Sequence, residues 1–142
     1  MEQTANDLEE VLATEIELAK ALLDLHRRKQ RVIIAFDGDM LAACLRQEQE
    51  LLNPLEAVEK ERVKLAHAVV GLTTAKEGLN RQLPDSNDRV SDLTERLREV
   101  VGQILAVNSL NKTLLEHSRE FMRESLRLMT ENYSYQLVDR RG

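Results

Sequence analysis

The chain has 142 residues, 42% hydrophobic, 32% charged and 3% aromatic, with 5 Gly, 2 Pro, no Trp and a formal net charge of -5. So few turn-forming and aromatic residues exclude a β-sandwich or barrel. The lack of a Gly-rich phosphate loop excludes a nucleotide-binding α/β domain, and the acidic balance argues against binding a nucleic-acid backbone. The apolar fraction is too high for disorder, which leaves a helical chain rich in Leu, Glu, Arg and Ala.

The first predicted helix covers about 6–35. Leu8, Val11, Leu12, Ile16, Ala19, Leu22, Leu23 and Leu25 recur at three- and four-residue steps and share one face. Thr4 or Asn6 can cap its start. The basic run His26-Arg27-Arg28-Lys29-Gln30-Arg31 reads as a solvated helix end. Asp37-Gly38-Asp39 is the expected stop, with Gly38 supplying a left-handed residue and Asp capping the next helix.

The second predicted helix covers about 38–72. Its seam is Leu41, Cys44, Glu48, Leu51, Leu55, Val58, Arg62, Leu65, Val69, Leu72, a heptad pattern. Glu48 and Arg62 are the polar seam positions, two heptads apart and so unable to pair within the helix. Pro54 falls mid-helix and predicts a kink, with a true break as the alternative, since it lacks a backbone donor.

Gly71 to Asp88 collects the loop-forming residues, and part of it can continue the second helix. The third helix is expected over about 87–132, with a short tail over 133–142. Its seam is Val90, Leu93, Leu97, Val100, Ile104, Val107, Asn111, Leu114, Ser118, Phe121, Ser125, Leu128. Three helices of roughly 45, 50 and 70 Å joined by short links make an antiparallel bundle with unmatched ends. The third helix should overhang the others by roughly 15–20 Å.

The sequence changes character in that same region. From Asn111 the seam alternates polar and apolar, and a second stripe opens beside it: Leu115, Met122, Leu126, Met129, Tyr133. The apolar face becomes wider than one seam needs. Read on periodicity alone, it is core, a contact between copies, or a partner-binding face.

No constellation for catalysis or metal binding stands out. His26, His67 and His117 lie on three different helices without a ligand-spaced neighbour, and read as surface or boundary residues. Cys44 reads as a small core hydrophobe. One cysteine permits no internal disulfide, which fits a reducing compartment. The start is polar and acidic, unlike a signal peptide, and no apolar run approaches a membrane span. No cofactor is expected, and the expected localisation is cytoplasmic.

Three features together resemble the FlgN family of flagellar export chaperones. The first is a Leu/Glu-rich helix ending at Asp37-Gly38-Asp39. The second is the run from Leu41 to Arg62, with Glu48, Glu50-Leu51-Leu52, Pro54-Leu55 and Glu59 in the family's spacing. The most distinctive is Asn108-Ser109-Leu110-Asn111-Lys112-Thr113-Leu114-Leu115, which is similar to its N-x-x-N-x-x-L-[IL] motif. Tyr133 or Tyr135 stands where family members carry a tyrosine near the end of the chain. The resemblance implies a non-enzymatic chaperone that binds the C-terminal helical ends of FlgK- and FlgL-like hook-associated proteins and hands them to the flagellar export gate. It places the cargo surface on the C-terminal helix. The candidate residues are Leu114, Leu115, Phe121, Met122, Leu126 and Met129 as the apolar face, Arg119, Arg123 and Arg127 as a basic rim, and Tyr133 and Tyr135 beyond. Asn108 and Asn111 serve either that surface or the packing of the helices. The rival readings are a homo-oligomeric coiled-coil scaffold or adaptor, and a small helical enzyme or metal protein.

Overall fold

The computed structural model describes the backbone over 2–76 and 85–141 and the side chains over 3–69 and 88–132. It is all-helical, as the composition predicts: α1 spans Glu2–Ile34, α2 Gly38–Lys76 and α3 Asp85–Arg141. Of the Gly71–Asp88 connection, 71–76 continue α2 as expected and 85–88 open α3, while 77–84 lie outside the described residues.

Cross-helix contacts fix the directions. Arg62 meets Glu15 at 2.7 Å and Lys29 meets Glu48 at 3.3 Å, so α1 and α2 run antiparallel. Arg89 stands 3.8 Å from Glu9, Asn111 bonds the carbonyl of His26 at 2.9 Å, and Phe121 faces Phe36 at 5.9 Å between ring centroids. α3 therefore runs alongside α1 in the same direction. The backbones of both α2 and α3 pack on α1 but, among the described residues, not on each other.

That arrangement makes α1 the core. Apart from Cys44 and Leu97, every fully buried apolar side chain described belongs to it. Leu8, Leu12, Ile16 and Ala19 form one cluster with Leu97, and Leu22, Leu25 and Val32 form a second with Cys44. The broad stripe read from the sequence is buried because two helices cover it from two sides.

Several expectations are corrected. The left-handed residue at the first turn is Phe36, with φ 56°, and Gly38 already opens α2. The amide of Asp37 bonds the carbonyl of Val32 and that of Phe36 the carbonyl of Ile33, the paired closure of a Schellman stop with Phe36 where Gly usually sits. Asp37 does cap α2, its carboxylate accepting from the Met40 amide at 3.1 Å. α1 starts at Glu2, ahead of both expected caps. At Pro54 the alternative of a true break is excluded, since α2 is one helix from Gly38 to Lys76 with the proline on its exposed side. α3 does not end near 132: its backbone is helical to Arg141, because nothing between Asn132 and Arg141 is Pro or Gly.

The basic run is not wholly solvated. Lys29 is buried against Glu48, and His26 is only 3% exposed, with its Nε2 3.7 Å from Glu48. The polar positions of the α2 seam thus find their partners on α1: Glu48 meets His26 and Lys29, and Arg62 meets Glu15. Burial pushes the Glu15 carboxyl above the usual carboxylate range, and the Arg62 guanidinium opposes it. Burial likewise pushes the His26 imidazole below its ordinary value, with Glu48 opposing and Lys29 reinforcing.

Candidate partner-binding surface

Phe121 marks where α1 runs out. Its ring lies against Phe36, two residues past the end of α1. From Met122 to Arg141 the α3 backbone runs on for about 30 Å. The overhang is longer than the sequence predicts because the helix does not stop near 132.

The direction of the overhanging face comes from helical periodicity. Asn111 is 1% exposed and points at α1. Positions eleven and eighteen residues on, Met122 and Met129, return to the same side of a 3.6-residue helix. Below Phe121 this side is covered by α1, and above it the cover stops. Leu114, Leu115, Ser118 and Ser125 are half-buried, whereas Phe121 is 64% and Met129 68% exposed, with Met122, Leu126 and Leu128 open as well. A core-type face thus emerges into solvent, which makes this patch the candidate interaction surface.

Arg119 and Arg123 are exposed beside the face. Arg127 is tied to Glu124 and Glu131 along its own helix. The side chains of Tyr133 and Tyr135 lie outside the described residues. Asn111 is structural: its Nδ2 donates across to α1, while Asn108 is exposed.

Two parts of the surface are not legible in the seams. At the α1–α2 turn Ile34, Phe36 and Met40 are exposed beside Phe121, widening the patch. The one sequence signal for it is the apolar run from Val32 to Phe36, which continues past the helix stop. The second is an open groove of about 910 Å³ between α2 and α3, floored on α1 by Ala19 and Leu22. Leu52 on one wall and Val101 and Leu105 on the other are exposed in it. It exists because the α2 and α3 backbones stand apart, which no single-helix periodicity encodes.

Among the described residues no cluster of His, Cys, Asp and Glu could hold a metal, and no helix is long and apolar enough to cross a membrane. Open apolar surface on an all-helical scaffold defines a protein that works by binding other proteins. Residues 1–135 match the family model described as FlgN protein, and the chain therefore belongs to the FlgN family, the flagellar export chaperones. Its members are chaperones rather than enzymes, and they serve flagellar hook-associated proteins. An uncharacterised protein of Bacillus subtilis (strain 168), YvyG, is 23% identical over 124 residues, covering 83% of this chain and 78% of that protein. No solved structure matches the chain.

Proposed function

We propose that this chain is a cytoplasmic export chaperone that binds the C-terminal helical regions of FlgK- and FlgL-like hook-associated proteins and delivers them to the flagellar export gate. The supporting observation is the uncovered continuation of the α3 core face beyond Phe121, formed by Phe121, Met122, Leu126 and Met129. An amphipathic cargo helix laid along it restores the apolar cover that α1 provides lower down. Met adapts its shape to more than one apolar partner, which suits a chaperone serving two related subunits. Arg119 and Arg123 beside the face attract acidic cargo segments, an effect read in the association rate and weakened by salt.

The test is capture of hook-associated subunits, full-length and C-terminally truncated, by the purified chain. Capture of the full-length subunits that vanishes on truncation supports the reading, and no capture by a folded chain rejects it. Phe121→Asp and Met122→Asp should each abolish capture while preserving the helical circular dichroism and the melting transition. Loss of the fold in either variant would return those positions to the core.

A further inference from the structure

We infer that two copies of this chain exchange their overhanging helices, each α3 end covering the α2/α3 groove of the other. This goes beyond the chaperone reading and stands or falls separately from it.

The first observation is the shape of the bundle. Two helices flank α1 with their backbones apart, and the open side between them exposes Leu52 among polar residues on the α2 wall and Val101 and Leu105 on the α3 wall. That is a four-helix arrangement lacking one corner. The chain also carries the missing piece, a helical backbone of about 30 Å beyond Phe121, whose described part exposes Met122, Leu126, Leu128 and Met129. It cannot reach its own groove, because it continues straight out of α3. It can reach the groove of a second copy turned end for end.

The second observation is a charge pattern that fits such a reversed copy. Glu116, Arg119, Glu120 and Arg123 succeed one another on one side of α3, and none takes part in an ion pair among the described residues. By contrast Arg127, one turn on, is held by Glu124 and Glu131. Within the helix, Glu116 and Glu120 are like charges four apart, as are Arg119 and Arg123, an unfavourable spacing. Set antiparallel against an identical helix about a twofold axis between 119 and 120, each Arg119 meets a Glu120 and each Glu116 meets an Arg123. A pattern complementary to its own reverse is what an isologous contact requires.

The register set by these charges makes an independent fit to the apolar residues. Asn111 is level with His26, and Lys29 with Glu48. Within one chain Leu110 therefore stands level with Leu52, and His117 with Leu45. In the reversed pair Met129 lies opposite Leu110 of the other copy, hence at the height of its exposed Leu52. Met122 falls at the height of its exposed Leu45. Beyond Met129 the helix backbone runs on past Leu105 and Val101.

Gly102 agrees with this geometry. It lies in the groove wall, and a Cβ there would meet nothing within 4 Å in the single chain. A mid-helix glycine that internal packing does not require is accounted for by the close approach of a helix from outside.

Sedimentation velocity of the full chain over a wide range of concentration tests the pairing. A reversible dimer that weakens with added salt is expected. The paired substitutions Glu116→Arg with Glu120→Arg, and Arg119→Glu with Arg123→Glu, should each give a monomer with unchanged helical circular dichroism. Mixing the two should restore the dimer, which a merely misfolded variant could not do. Cys44→Ala with Leu52→Cys and Met129→Cys provides a second readout: the new thiols are roughly 28 Å apart along one chain, so oxidation should link two chains. A wild type that stays monomeric throughout, charge variants that still dimerise, or a doubly substituted chain that does not cross-link would overturn the proposal. A monomer would leave the stripe to a cargo helix alone.

Discussion

Asn111, fully buried, ties α3 to α1 through one amide at the carbonyl of His26, and it is level with the most polar layer of the bundle. Asn111→Ala removes that cross-helix donor while the carbonyl keeps its bond within α1, so a loss of about 1 kcal/mol is expected in urea unfolding. Arg62→Leu leaves Glu15 without its cation. A loss on the order of 3 kcal/mol at neutral pH is expected. Burial holds the Glu15 carboxyl high, so the folded state takes up its proton before the unfolded state does. The cost of Arg62→Leu should therefore shrink as the solution is acidified. His26 behaves in the opposite sense. Its folded value is lowered by burial, so below about pH 6.5 the unfolded chain binds more protons than the folded one. Stability should fall through that window until the buried imidazole itself protonates. Urea midpoints at pH 7.5 and 5.5 check this, with His26→Leu losing less than the wild type. None of these roles was legible in residue spacing. The sequence shows Glu48 and Arg62 as polar interruptions of a seam, and only the α1–α2 register shows that His26, Lys29 and Glu15 complete them.

At the level of the helices, periodicity was informative where one face meets one neighbour and silent where chemistry at the ends decides. The α1 stripe matches buried apolar positions from Leu8 to Leu25 but stops short of Val32 and Ile33, and the α2 heptads meet a fully buried position at Cys44. The stop after Ile34 was placed correctly but its left-handed residue was not, because the strained φ falls on Phe36, which spacing does not distinguish from its neighbours. Pro54 sits on the solvent side of an unbroken helix, so its cost is confined to one missing backbone hydrogen bond. Pro54→Ala should raise stability by about 1–3 kcal/mol in thermal or urea unfolding. In the monomer Gly102→Ala should add up to about 1 kcal/mol, since the new methyl clashes with nothing and glycine is a poor helix former.

For the whole molecule, the mismatch of helix lengths was readable by multiplying residues by rise, and it located the exposed end of α3. The width of the surface was not readable that way. Ile34, Phe36 and Met40 join it only because the α1–α2 turn reaches the height of Phe121. The groove exists only because α1 alone separates its neighbours. A chaperone built this way keeps its own core on one helix and leaves the inward sides of the other two partly open. Binding a helical partner then extends the existing packing without opening the core.

The central place of α1 also sets an order of assembly. Its contacts with α2 close across a turn of a few residues, while the bond between Asn111 and His26 joins positions 85 apart. Loop closure is entropically cheaper for the near pair. The α1–α2 hairpin should therefore form first and α3 should zip onto it afterwards, from Val90 towards Phe121. In native-state hydrogen exchange the amides of α1 should be the last to exchange, those of α3 below Phe121 intermediate, and those beyond it the first. On a translating ribosome the hairpin is complete while the overhanging third of α3 is still unmade, so the exposed apolar face joins a scaffold that has already formed.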